Sequence, residues 1–88
     1  MNTFTMEISS PNGSLFHEDI NMIALRGADG DLAVMAGHIP FVTSVQPCDF
    51  HMELADGEEK AGHVDGGILT VSGTEAVLLT GDVQWIDE

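Results

Sequence analysis

The sequence has almost no positive charge. Arg26 and Lys60 are its only strong bases, against fifteen Asp and Glu, for a formal net charge of −13 in 88 residues. Two cations cannot build a basic patch, which excludes nucleic acid and bare anionic lipid as natural partners and favours a basic protein surface. Cysteine occurs once, at Cys48, so no internal disulfide is available; this favours a cytoplasmic setting. Tyrosine is absent and Trp85 is the only tryptophan, so no row of stacked aromatics is on offer to a sugar. No apolar run is long enough to span a bilayer. The opening "MNTFTMEISSPNG" lacks the basic stretch and apolar run of a signal peptide, so any membrane association is expected to pass through another protein.

What is present is a short, apolar-rich chain. Apolar residues make up 43%, enough for one core, and a chain of this size buries roughly 60–65% of its unfolded surface. A single domain over 1–88 is expected. Ten glycines and three prolines cut the chain into short segments, a spacing that suits strands better than helices. Phe4, Met6 and Ile8 alternate with polar residues, and "PNG" at 11–13 reads as a turn. Phe50, Met52 and Leu54 alternate likewise. "DG" at 56–57 then predicts a two-residue hairpin turn, pairing Leu54 with Glu59, Glu53 with Lys60 and Phe50 with His63. A second hairpin is expected from 68–71 to 76–80, and a last short strand at 83–86. Residues 14–26 contain no Gly or Pro, and Phe16, Ile20, Ile23 and Ala24 fall at helical spacing. The β-branched Ile20 and Ile23 argue against a helix, so two short strands are read there, one ending at Phe16 and one over Ile20–Arg26. The expected fold class is all-β: a flattened sandwich of eight to ten short, mostly antiparallel strands in two sheets, with a small barrel as the alternative.

The chemistry-bearing residues assemble into no catalytic set. Cys48 and His51 have a C-x-x-H look, but three residues apart on a strand they point to opposite faces, and structural zinc takes four close ligands. His63 and Asp65 share a face and can pair, yet Ser72 and Thr70, the nearest nucleophiles, have nothing to fix them beside His63. His17, next to Glu18 and Asp19, reads as a surface residue. Gly27, Gly30, Gly66, Gly67 and Gly73 form neither G-x-G-x-x-G nor a P-loop, and Asp29 and Asp31 lack calcium-loop spacing. These glycines are read as turn formers. No catalytic residue, no metal and no cofactor is expected. Residues 30–47 read as a shaped display loop: Gly37 is a hinge before His38, Pro40 holds Ile39 extended, and Phe41 and Val45 are expected to anchor the following strand.

"GDLAVMAGHIPF", residues 30–41, resembles the G-x-x-G-I-x-P-G-H-x-P-L signature of the epsilon subunit of F-type ATP synthases, in its amino-terminal β-sandwich domain. Gly30, Gly37, His38 and Pro40 match, whereas Ala33 stands for a glycine, Ala36 for a proline, Phe41 for leucine and Cys48 for glycine. Upstream, the opening strand and "P-x-G" turn also resemble the family. So do "DGGILTV" at 65–71 and "VLLTGDV" further on, and the family's helical hairpin would begin where Glu88 stands. The resemblance implies a rotor component without catalysis of its own, peripheral on the cytoplasmic face of the cell inner membrane. One side would meet the gamma subunit. Gly30, Asp31, His38, Ile39 and Pro40 would face the polar loops of the c-ring, and Gly27, Gly37, Gly66 and Gly67 would shape the turns. The alternative kept beside it is a free-standing acidic protein-binding adaptor.

Overall fold

The structure, a computed structural model, describes residues 3–37 and 39–86; His38 lies outside the described residues. Nine strands follow in order: β1 (Phe4–Ser10), β2 (Gly13–Gly27), β3 (Gly30–Met35), β4 (Phe41–Val45), β5 (Cys48–Leu54), β6 (Glu59–Val64), β7 (Gly67–Val71), β8 (Glu75–Thr80) and β9 (Gln84–Ile86). One layer runs β4-β7-β8-β1 and ends on the first half of β2. The other runs β3, the second half of β2, β5, β6 and β9. Every pair is antiparallel except β1 with β8. The two inner faces meet in a sandwich. Met6, Ile8, Ile20, Leu69 and Leu78 come from one sheet, and Ile23, Val34, Phe50, Met52 and Val64 from the other, each at most 1% exposed. Alternation along β1, β5, β6, β7 and β8 sends every second side chain inward, as the period of a pleated strand requires.

The segment read as two strands is one. β2 runs unbroken for fifteen residues and belongs to both sheets. Its inward residues are Phe16 and Ile20, then Ile23 and Leu25, so the phase slips by one between Ile20 and Ile23. The slip coincides with a register jump against β5 between Ile20 and Met22. There Asn21 donates through Nδ2 to the Leu54 carbonyl at 3.0 Å. A bulge of this kind bends a strand and turns its side chains over. It lets one strand serve two crossed layers, and it is also why the apolar spacing looked helical.

The β5–β6 hairpin differs from the sequence expectation by one residue. Glu53 pairs with Glu59, Met52 with Lys60 and Phe50 with Gly62. The loop has three residues, Ala55 to Gly57, and Gly57 adopts φ +91°. It is closed by hydrogen bonds from Leu54 N–H to the Glu58 carbonyl (2.7 Å) and from Gly57 N–H to the Leu54 carbonyl (2.9 Å). Packing decides between the registers. A Cβ at position 62 would lie 2.7 Å from Phe50 Cζ, so the Phe50 ring demands glycine opposite it. A one-residue slip would instead turn His63 into the core.

β9 closes the edge of its sheet. Trp85 packs edge-on against Phe50 (centroids 5.8 Å apart) and at a tilt against Phe16 (5.9 Å). Lys60 Nζ stands 4.5 Å over the indole. Trp85 is 37% exposed, yet a cation and two rings engage it, so it serves as edge packing.

Candidate interaction surfaces

The β2–β3 hairpin carries three of the residues singled out in the sequence. Gly27 pairs with Gly30 across a two-residue turn, and Arg26 pairs with Asp31 one step further in. Arg26 Nε donates to Asp31 Oδ1 at 3.0 Å, and the Asp31 side chain is 83% exposed. Gly27 has no unusual backbone angle. A Cβ there would sit 2.6 Å from Leu32 Cδ2, the end of a side chain that can turn aside. Gly37 turns the chain out of β3 at φ +86°. Ile39 and Pro40 follow, exposed, and lead into β4. The first residues of β4, Phe41 to Thr43, share a shallow depression with the hairpin residues 28–32. The structure therefore brings Gly30 and Asp31 beside the start of β4. Of the two expected anchors of that strand, Val45 is buried but Phe41 is 36% exposed.

Gly66 and Gly67 sit elsewhere in the chain, at the crossover from β6 to β7. Gly66 has φ +109°, and its carbonyl accepts a 2.7 Å hydrogen bond from the buried Thr80 hydroxyl. The crossover meets the same end of the sandwich as the hairpin. A Cβ at 66 would fall 3.1 Å from the Val45 carbonyl, and Val45 pairs with Gly27.

The outer face of the β3-β2-β5-β6-β9 sheet is a shallow trough floored by Ala24, Ala33 and Ala61. Both of its histidines are paired with carboxylates. His51 Nε2 binds the Glu59 carboxylate. His63 lies between two acids, with Nδ1 at 2.8 Å from Asp49 Oδ1 and Nε2 at 3.3 Å from Asp65 Oδ1. The Asp65 partner was expected; Asp49 was missed because the hairpin register was read one residue off. The hydrogen bond to Asp49, then that to Asp65, holds the His63 pKa above its ordinary 6.5. A raised histidine pKa adds stability fully below the unfolded value and loses it as pH rises through the folded value. The stability difference between the native chain and His63→Gln should therefore shrink from about pH 6 to about pH 8.5. Urea unfolding at the two pH values measures it; a difference that widens with pH would contradict the assignment.

Neither histidine has a nucleophile at hand. Thr70 lies on the outer face of the other sheet, and Ser72 Oγ is engaged with the Glu75 backbone. Cys48 packs against the core while His51 faces outward, on opposite sides of β5 as expected. Among the described residues no group of three or more His, Cys, Asp or Glu could hold a metal ion. Among the described residues no helix is long and apolar enough to cross a membrane.

A surface that the sequence reading did not single out covers the outside of the β4-β7-β8-β1 sheet. Val42, Ile68 and Leu79 are 67%, 44% and 52% exposed. Ile68 pairs with Leu79 and with Ser44, and Thr70 pairs with Val42 and with Val77. The field they form holds no charged side chain until Glu7 and Glu75 at its border. The signal was present in "GILTV" and "AVLLT": consecutive apolar residues on one strand make both of its faces apolar.

Residues 3–86 match the family described as ATP synthase, Delta/Epsilon chain, beta-sandwich domain. The chain is 37% identical over 86 residues to the sodium-ion-specific ATP synthase epsilon chain of Acetobacterium woodii, covering 98% of this chain and 65% of that one. It is 36% identical to the corresponding sodium-ion-specific chain of Propionigenium modestum, with 99% and 65% covered. It thus spans about two thirds of those relatives' length. Against the Chlorobium limicola epsilon chain, 31% identical, it covers 92% of both. Among solved structures, the fold matches a chain of the Euglena gracilis mitochondrial ATP synthase, OSCP/F1/c-ring. The TM-score is 0.88 at 20% identity, with 97% of this chain and 56% of that one covered. A chain of the Tetrahymena thermophila central stalk/c-ring structure matches with a TM-score of 0.78 at 10% identity, covering 93% and 66%.

Proposed function

Because the chain belongs to the ATP synthase delta/epsilon family of β-sandwich domains, we propose that it is a non-catalytic central-stalk subunit of an F-type ATP synthase, forming one domain over 1–88. It links the gamma subunit to the membrane c-ring and so couples ion flow to ATP synthesis elsewhere in the complex. It is peripheral on the cytoplasmic face of the inner membrane, held there by its partners.

The observation that carries this reading is the division of the surface. An apolar field over β4, β7 and β8, with Glu7 and Glu75 only at its border, stands on a chain of net charge −13, while Asp31 is displayed at the hairpin tip. Apolar, charge-depleted patches are what the cores of protein interfaces use. We assign the Val42–Ile68–Leu79 face to gamma, and the tip carrying Gly30 and Asp31, with His38, Ile39 and Pro40 of the adjoining loop, to the basic polar loops of the ring. A close-packed sandwich between the two transmits torque because it resists deformation.

At the ring, an arginine from a c subunit would compete with Arg26 for Asp31. Asp31→Lys should therefore weaken binding to ring-bearing membranes by about tenfold. It should leave thermal unfolding nearly unchanged, since an exposed pair is worth at most about 1 kcal/mol. Arg26→Gln, which frees Asp31, should strengthen the same binding. Equal binding by all three chains would remove the ring contact from this tip.

A further inference from the structure

The His63 cluster does more than decorate a sheet. Asp49 belongs to β5, His63 to β6, and Asp65 opens the crossover that carries the chain from one sheet to the other. Both ring nitrogens face a carboxylate oxygen. A neutral imidazole has one N–H to donate and would aim its other lone pair at an anion; only the imidazolium donates from both nitrogens. The remaining surroundings do not supply the missing donor. Gln84 of β9 pairs with His63 and is uncharged. Arg26 of β2 lies beyond Asp49 across the trough and holds Asp31, and His51 further along the face is engaged with Glu59.

We infer that Asp49, His63 and Asp65 form a proton-controlled strap, which holds the Asp65 carboxylate, at the start of the β6–β7 crossover, to His63 and through it to β5 when His63 is charged, and releases that carboxylate when it is not. On deprotonation His63 releases one proton to solvent and keeps a single donor. The shorter bond, to Asp49, is retained. The longer one is lost, and with it Asp65, whose side chain is 96% exposed. Asp65 precedes Gly66, which lies against Val45 and Pro47 at the end of the sandwich that also bears the β2–β3 hairpin. Release therefore frees a carboxylate and removes one positive charge at that end. In the ring-docking reading, on which this consequence rests, attraction to basic loops grows as pH rises through the His63 midpoint.

Imidazole nitrogen NMR of the whole chain tests the strap without any partner. Below the midpoint both His63 nitrogens should carry protons. The midpoint should lie above the ordinary histidine value, fall with Asp65→Asn, and fall further with Asp49→Asn. The Gly66 amide should shift with the same midpoint in the native chain and stay flat in His63→Gln. A midpoint untouched by Asp65→Asn, or a Gly66 amide that ignores it, overturns the strap. A second arm measures binding to ring-bearing membranes. An increase of about threefold across the midpoint is expected for the native chain, and none for His63→Gln. PH-independent binding of the native chain overturns the docking consequence. Absence of binding at every pH overturns the ring reading itself, while the imidazole titration still decides the strap.

Discussion

Replacing Gly67 with alanine is expected to lower the stability of this chain by about 3 kcal/mol, a fall in Tm of roughly 12–24 °C for a domain of this size. The added Cβ would stand 2.2 Å from the Leu79 carbonyl oxygen, and the obstacle is backbone, which no rotamer change can move aside. Gly67 pairs with Thr80 on one side and Val45 on the other, so any retreat of β7 disturbs two ladders at once. Gly81→Ala is the control, because nothing lies within 4 Å of a Cβ there. Denaturant melts of the two variants should separate clearly. A Gly67→Ala chain as stable as the control would mean that β7 and β8 are spaced differently.

The second large effect concerns partners. Ile68→Lys combined with Leu79→Glu should cost about 100-fold in affinity for the gamma subunit, or about 2.8 kcal/mol, as expected for losing two central apolar contacts. The two residues face each other across β7 and β8, so the new charges oppose each other with opposite sign and support the ladder. Net charge is unchanged. Melting temperature should stay within a few degrees while binding to isolated gamma collapses. Full binding by the double variant would move the gamma contact off this face.

The sheet class and most element positions were legible because they depend on local rules. Alternation in Phe4–Ile8 and Phe50–Leu54, and the Gly and Pro punctuation, each act within a few residues. The strand number agrees only because two misreadings offset: β2 was read as two strands, and β3 (Gly30–Met35) was read as part of a loop. Two further features were not legible. The unbroken β2 required knowing that both sheets share one strand, since a bulge at Asn21 gives the same apolar spacing as a helix. The β5–β6 register turned on Gly62 lying beneath the Phe50 ring, a contact between residues twelve apart. The loop type near Asp56–Gly57 could not reveal it, because both two- and three-residue loops accept glycine.

The candidate surfaces divide in the same way. Gly30, Asp31, Ile39 and Pro40 were singled out by a motif, but that Asp31 is held by Arg26 emerges only from strand pairing. The apolar outer face is built from β4, β7 and β8, none of which shows by itself that its neighbours line up the same way. The sequence alone determined the all-β class, the excess of negative charge and the family signature, because composition and short spacings are properties of the chain in any conformation. Which residues share a face, and hence the Asp49–His63–Asp65 strap and the apolar sheet surface, was decided by tertiary structure. Face-sharing depends on register between distant strands, and one residue of slip reverses it.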